Sequence, residues 1–395
     1  MDYLKRSWAE IDLGAAEQNY KAIRSRLNPN TKVCCVVKAD AYGHGAERFA
    51  QLYESAGADW LAVSNLEEAE QIRRAGVSLP ILILGYTPPY LAGKLAAGNI
   101  AQAVVGPEYA GQLSAEAVKA GVTVRAHIQV DTGMSRVGFF YQDCSRDTDS
   151  IDAMEHACRL PGINAEGIFT HFAVADEGEG GHKYTERQFH CFMSAISMLG
   201  QRGIHFKIRH CANSAAILDF PKMQLDMVRP GIILYGLMPS GDIMHKATLA
   251  PVLSLKSQIA LVKEVPPQTC VSYGRKFTSA RTTAVATVPI GYADGYPRRF
   301  GGRASVLVHG RRAKVIGRVC MDQLMLDITG IPDVKAGDTV TIIGRDGSEC
   351  ISADELAEIA GTISYEILCG IATRIPRVFL RGNSEDSVLD YLKRI

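Results

Sequence analysis

Several apolar runs in the chain are followed at once by residues able to do chemistry, as strands do when they deliver side chains to one rim of a parallel sheet. Residues 33–37 lead into Lys38-Ala39-Asp40-Ala41-Tyr42-Gly43-His44-Gly45. Lysine is rarely buried without a task. Lys38 is read either as a side chain that carries its ammonium out of a polar loop, or as a base and carbonyl nucleophile, since desolvation lowers a lysine's pKa. A second run ends in Gln129-Val130-Asp131-Thr132-Gly133-Met134-Ser135-Arg136, and a third in Thr170-His171-Phe172. An isolated histidine at such a place serves either as a hydrogen-bonded structural group or in catalysis. Cys211-Ala212-Asn213-Ser214-Ala215-Ala216 opens a helix after another run, and exposed N–H groups there make an anion site. In Arg229-Pro230-Gly231 the glycine lets a backbone N–H approach a phosphate closely. Lys, Arg, His, Asn-Ser and Arg-Pro-Gly at one rim point to a phosphate-bearing ligand whose carbonyl meets Lys38, and so to pyridoxal 5'-phosphate.

The elements that must position these residues alternate with a steady beat. Strand-like runs at 33–37, 60–64, 81–84, 101–105, 124–130, 163–169, 206–210 and 227–233 are separated by helical patterns such as 46–56 and 66–74. Near-continuous apolar runs are typical of parallel strands covered by helices on both faces. Eight such units predict an α/β fold with an N-terminal (β/α)8 TIM-like barrel over 1–244; a doubly wound open sheet is the competing architecture. From 245 to 395 the texture changes to a mostly-β domain, with strands expected at 252–265, 282–289, 304–308, 313–316, 324–328 and 339–343. One helix is expected there, starting at Ser352 with Glu355 three residues on, a capping box. The strand-like segment 7–13 is assigned to the second domain, and the last dozen residues read as a frayed, solvated tail.

Composition excludes several classes. The 395 residues carry 43 Lys plus Arg against 42 Asp plus Glu, a formal charge of +1, which argues against a nucleic-acid or polyanion binder. No stretch approaches the roughly 18 apolar residues needed to span a bilayer. Charges occupy the N-terminus where a signal peptide needs an apolar core, so a cytoplasmic protein without membrane contact is expected. Ten cysteines are scattered without a CxxC pair; they are expected to be reduced, with no metal site.

At these residues the chain resembles the alanine racemases, a family of fold-type III pyridoxal 5'-phosphate enzymes. The motif from Val37 to Gly45 is the most specific. In order, the match continues through Asp131-Thr132-Gly133-Met134-Ser135-Arg136, Thr170-His171-Phe172, His210-Cys211-Ala212-Asn213-Ser214 and Arg229-Pro230-Gly231. It extends through Ser272-Tyr273-Gly274, the segment from Pro289 to Gly295, Gly317-Arg318-Val319-Cys320-Met321-Asp322 and Arg374-Ile375-Pro376-Arg377. The resemblance thus spans about Trp8 to Arg381.

What the resemblance implies is specific. Lys38 binds the cofactor and is the base on one face of the substrate; Tyr273, from the partner subunit of a homodimer, is the base on the other. A free phenol titrates near about 10, so a tyrosine base needs cationic neighbours, for which His171 and Arg229 are the candidates. Arg229 faces the pyridine nitrogen, and because a guanidinium does not readily give up a proton, that nitrogen stays unprotonated. Arg136 partners the cofactor's phenolic oxygen. Tyr42, Ser214, Gly231 and Ile232 contact the phosphate, with Asn213 beside them. Met321 offers its N–H to the substrate carboxylate from the partner subunit, flanked by Asp322 and Cys320, and Tyr292 is a further substrate contact. The small amino acid so bound is alanine, and D-alanine in a bacterium would supply peptidoglycan.

Two positions depart from the family pattern. Many relatives carry a lysine, often carbamylated, where Gln129 stands; Gln129 is expected to support Arg136 through its amide oxygen, without bicarbonate dependence. Relatives also carry a phosphate-touching tyrosine where Thr373 stands, whereas serine racemases linked to vancomycin resistance have a smaller polar residue. Thr373 therefore predicts appreciable activity on serine, with serine racemase as the alternative main activity. An amino-acid decarboxylase of the same architecture fits the Tyr273 and Met321 segments less well. A non-enzymatic pyridoxal phosphate carrier would lack the 150 or so residues after the barrel.

Overall fold

In the computed structural model, which describes residues 3–382 and 384–393, the chain folds as two compact units. One contains Glu17–Ala41 and Ala46–Ala250. The other contains the described residues up to Ala16, Tyr42–Gly45, and those from Pro251 onward.

The first unit is a nearly closed parallel barrel of eight strands. Their order is Met227–Val228, Lys32–Val36, Trp60–Val63, Ile81–Ile83, Ile100–Val104, Val124–Asp131, Ile163–Phe169 and Ile208–His210. Single bonds bridge the last strand to the first: Asp226 N–H to the Arg209 carbonyl at 3.1 Å, and Arg229 N–H to the Ala212 carbonyl at 2.9 Å. The Arg209 guanidinium adds two bonds to the Asp226 carboxylate, at 2.7 and 2.9 Å. Trp60–Val63 and Ile100–Val104 are buried at every position, as parallel strands under helices must be. The helix Leu66–Arg74 shows how sequence sets the covering layer. Asn65 caps it by accepting from the Glu68 N–H at 2.9 Å, Glu67 and Glu68 sit in its first turn, and Arg73 and Arg74 in its last. Leu66, Ala69 and Ile72, three residues apart, are the face it buries.

The second unit is an eleven-stranded, mostly antiparallel sheet. Ser7–Asp12 lies within it, antiparallel to Leu253–Gln258 and parallel to Arg377–Arg381. Leu253–Gln258 alternates buried and half-buried positions, the period-two pattern of a sheet with one covered face. Ala353–Ala360 is capped by Ser352, whose hydroxyl accepts from the Glu355 N–H at 3.0 Å.

Four local expectations are corrected. The run 252–265 is two strands, Leu253–Gln258 and Leu261–Val265, because Ile259 and Ala260 turn their N–H groups to Asp338 and Thr287. A second helix, Ser364–Cys369, follows the capped one. The run 227–233 is a two-residue strand and then a 3-10 turn, Ile232–Tyr235; Pro230, with no N–H to give, and Gly231 end the strand. The supposed tail contains Ser384–Leu389, an edge strand antiparallel to Arg377–Arg381. Its charged residues misled the reading, since an edge strand needs only backbone pairing and is often charged. Residues 394 and 395 lie outside the described part. All ten cysteines are free, with Cys34 and Cys35 buried.

Candidate active site

The strand Lys32–Val36 does not deliver Lys38 on extended backbone. Lys38–Gly43 is one left-handed helical turn, with φ of 51°, 54°, 53° and 55° at Ala39, Asp40, Ala41 and Tyr42. Each such residue costs about 1–2 kcal/mol unless its surroundings over-determine it. They do: the Ala39 N–H bonds Glu68 Oε1 at 2.7 Å, the Ala41 N–H bonds the Val37 carbonyl at 2.9 Å, and Asp40 Oδ1 accepts from Ala46 N–H at 2.8 Å. Glu68 also accepts from the Ser64 N–H at 2.7 Å, so one carboxylate ties two strand ends together. Composition carries no signal for this turn, since Ala and Tyr ordinarily avoid positive φ.

Near Lys38 the barrel gathers cations around a neutral imidazole. Desolvation and the charges of Arg229, Arg136 and Lys38 hold His171 down to about 3, so its ring is uncharged at neutral pH. Arg229 is only 3% exposed, and burial brings its guanidinium down to about 10, still a cation. One Nη donates to His210 Nδ1 at 2.7 Å; the other bonds the Thr170 carbonyl at 2.9 Å and the Cys211 carbonyl at 3.2 Å and faces His171 Nδ1 at 3.4 Å. The sequence reading gave no role to His210, or to His127 behind it. Neither histidine stands out from its apolar run, and the runs are separated by a third strand, Ile163–Phe169.

Asn213, Ser214, Gly231 and Ile232 come together at the same barrel. Asn213 caps Ser214–Asp219 by accepting from the Ala216 N–H at 3.0 Å. The buried Ser214 hydroxyl accepts from the Gly231 N–H at 2.8 Å, leaving its own proton to donate. Ile232, fully buried, begins a 3-10 turn, and the first N–H groups of such a turn have no acceptor within it.

Arg136 and Gln129 differ from expectation. Arg136 is exposed and makes no hydrogen bond or ion pair among the described residues, while Gln129 is 4% exposed with its Oε1 unpartnered. Gln129 therefore does not support Arg136 by a hydrogen bond. The loop that carries Arg136 is held instead by Asp131, whose Oδ1 accepts from Gly133 and Ser135 N–H at 3.0 and 2.9 Å.

The remaining candidates belong to the sheet unit. Tyr273 is 69% exposed on a short 3-10 turn. Ser272, before it, has φ 68° and ψ 176°, a region nearly reserved for glycine, and Gly274, after it, has φ 69°. The Ser272 hydroxyl donates to the Arg318 carbonyl at 2.6 Å, which holds the strained turn. Met321 and Tyr292 are also exposed, and their segments are joined: Tyr292 and Ala293 N–H groups bond the Cys320 and Met321 carbonyls at 3.1 and 3.0 Å. Gly291 permits this approach, since a Cβ there would lie 2.3 Å from both carbonyl oxygens. Asp322 accepts from Arg374 at 2.9 Å, next to the exposed Thr373. Tyr42, by contrast, is buried, its ring 5.9 Å from that of Tyr365.

Comparison with known proteins agrees with both units. Residues 11–239 match the family model "Alanine racemase, N-terminal domain" and residues 252–379 match "Alanine racemase, C-terminal domain". An alanine racemase of Desulfovibrio desulfuricans is 46% identical over 373 residues, 94% of this chain and 98% of the relative. One from Clostridium perfringens is 43% identical over 386 residues, 98% of each chain. Among solved structures, the alanine racemase of Bacillus anthracis with bound L-Ala-P is 38% identical with a TM-score of 0.92, covering 100% of both chains. That of Clostridium difficile 630 is 38% identical with a TM-score of 0.93, covering 99% of this chain and 100% of that one. The chain belongs to the alanine racemase family, enzymes that depend on pyridoxal 5'-phosphate, and is itself an amino-acid racemase.

Proposed function

We propose that the chain interconverts L- and D-alanine with two opposed bases, Lys38 and the Tyr273 of a second copy in a homodimer. The observation that carries this reading is the contrast between the two groups. Lys38, the buried Arg229 and the exposed Arg136 together act on His171 and keep it neutral, whereas Tyr273 stands exposed on strained backbone, oriented but without an enclosure. Racemisation needs a proton to leave one face and another to arrive at the opposite face, so two bases on separate surfaces suit it.

The barrel fits pyridoxal 5'-phosphate. Ser214, which accepts from the Gly231 N–H, has a hydroxyl proton to donate, and the 3-10 turn that starts at Ile232 has first N–H groups without an acceptor in the turn, which suits a phosphate ester. Asn213, which caps the helix that Ser214 opens, belongs to the same group of residues. When bound, the cofactor draws off the electron pair left at the substrate's α-carbon. Lys38 holds it and exchanges a proton at its Nζ. Arg229, a cation that keeps its protons, would meet the cofactor's pyridine nitrogen, and Arg136 would meet its phenolic oxygen. His171, neutral and next to Arg229, orients the opposing phenol. Met321 presents its N–H to the substrate carboxylate, with Asp322 and Tyr292 closing that side. The short, hydroxyl-bearing Thr373 leaves room for a β-hydroxyl, which supports side activity on serine.

Subunit mixing tests the reading. Lys38→Ala and Tyr273→Phe homodimers should each be inactive, and should regain roughly a quarter of wild-type activity when dissociated and reassembled together. Random pairing makes about half the dimers mixed, each with one intact site of two. No recovery on mixing would put both bases in one chain and end the shared-site proposal.

A further inference from the structure

Arg229 is a buried cation with no carboxylate in contact among the described residues, a situation that ordinarily costs several kcal/mol. Its Nη1 donates to His210 Nδ1 at 2.7 Å. A guanidinium cannot accept, so His210 Nδ1 carries no proton. Burial holds His210 neutral, well below the usual range, so its single proton sits on Nε2. That atom lies 2.8 Å from His127 Nδ1, which must therefore accept. His127 is neutral for the same reason, so its proton is on Nε2, facing Glu166 Oε1 at 3.7 Å. This last link is an electrostatic contact rather than a short hydrogen bond. Glu166 is charged: burial opposes it, but His127 and Arg125, whose Nε bonds the same oxygen at 2.8 Å, hold the carboxyl below its ordinary value.

The packing holds the planes of these rings in place. Phe169 stacks on His210 at 4.9 Å and 10°, and the Arg229 guanidinium lies 5.3 Å over the same phenyl ring. Trp60 meets His127 edge-on at 5.3 Å, with Arg125 at 4.9 Å over the indole. The opposing strand makes room with Gly167, where a Cβ would fall 2.4 Å from His127 Nδ1.

We propose that Glu166 is the counter-charge of Arg229, linked to it by two hydrogen bonds, Arg229 to His210 and His210 to His127, and by the electrostatic contact of His127 with Glu166, all with the proton on the side toward Glu166, and that this chain fixes the guanidinium's orientation and charge. The inference rests on the reading that Arg229 faces the cofactor's pyridine nitrogen. It makes Glu166, His127 and His210 positioning residues.

The test is carried out on the holoenzyme labelled with ¹⁵N-histidine. In the wild type, His127 and His210 should both be neutral Nε2–H tautomers at neutral pH; an Nδ1–H tautomer at His210 overturns the chain. Glu166→Gln should lower kcat about tenfold with little change in KM, and should give His210 mixed tautomers. Glu166→Asp, which keeps the charge, should recover most of the loss. Wild-type kcat and tautomers in Glu166→Gln overturn the proposal. Gly167→Ala, which displaces the His127 ring without touching a charge, should reproduce the kcat loss, so the proposal does not hang on one variant. Wild-type racemisation by Arg229→Lys would instead overturn the reading of Arg229, and the tautomer measurement stands apart from it.

Discussion

At the barrel, Arg229 and the histidines behind it are buried, and their states follow from their neighbours. Arg229 is held by two carbonyls and two imidazoles, and His171 is kept neutral by burial and three cations. In the sheet unit, Tyr273, Tyr292 and Met321 are 69%, 42% and 54% exposed, and what holds them is backbone: a glycine-like Ser272, two close-packed loops and the Gly291 contact. Burial tunes charge, so it serves the region where protonation state matters most. Backbone strain fixes direction without enclosing the side chain, which suits a group proposed to act at a second copy's site.

The sharpest way to break this comparison is to remove one base from each region. Lys38→Ala should abolish racemisation, by about 10⁴-fold, because in the proposed function the same side chain holds the cofactor and moves a proton. Tyr273→Phe should cost about 10²–10³-fold and do so unevenly. In deuterated water it should lose isotope exchange from one alanine enantiomer far more than from the other. Equal losses from both enantiomers would mean that the two regions do not serve opposite faces.

Next in size is a pair of glycine substitutions. Gly43 closes the left-handed turn at φ +82°, and a Cβ there would lie 2.4 Å from the Leu368 carbonyl oxygen. Gly43→Ala should destabilise the protein by about 3 kcal/mol, because backbone must move. Gly274→Ala, beside Tyr273, meets only the flexible end of Arg318 at 3.1 Å and should cost about 1 kcal/mol. Urea denaturation distinguishes them, and equal losses would erase the difference in how firmly the two turns are set.

Barrel strands such as Trp60–Val63 and Ile100–Val104 were legible because both faces are covered, so each reads as an apolar run. The Asn65 and Ser352 caps were legible because capping uses a side chain. The left-handed turn was not, since tertiary bonds from Glu68 and Asp40 impose it on residues that would avoid it alone. The Ser384–Leu389 edge strand was not, since its pairing is all backbone. Of the site, single residues at strand ends were visible one by one, and the resemblance supplied the roles. The pairing of His127 with His210 needs the register of strands far apart in sequence, and neither histidine stood out from its apolar run.

Acid should separate the regions by a smaller margin. His127, His171 and His210 are all held below the ordinary histidine value, His171 to about 3. Above about pH 6.5 they are neutral folded or unfolded and contribute no pH dependence. As pH falls below that, the unfolded chain binds protons that the folded barrel refuses, so stability drops by up to about 1.4 kcal/mol per unit for each histidine. Between pH 7 and 5.5 the urea midpoint should fall, before the carboxylates begin to titrate. A midpoint unchanged over that range would show the barrel histidines to be less shielded than their burial implies.

The smallest effect concerns the exposed region and the substrate. Thr373 is exposed and precedes Arg374, which holds Asp322 at 2.9 Å beside Met321, so its side chain adjoins the segment proposed to take the substrate carboxylate. A hydroxyl on the substrate is hard for an apolar pocket to exclude, whereas a polar neighbour can favour it. Thr373→Tyr should therefore lower kcat/KM for L-serine relative to L-alanine by about fivefold to tenfold while leaving alanine racemisation largely intact. The measurement is the ratio of the two constants in each protein. Because Tyr273 is oriented by backbone rather than by Thr373, its part in the reaction should be unaffected, and the change should appear mainly in KM. A ratio equal in the two proteins would remove Thr373 as a determinant and leave serine selectivity to the buried region instead.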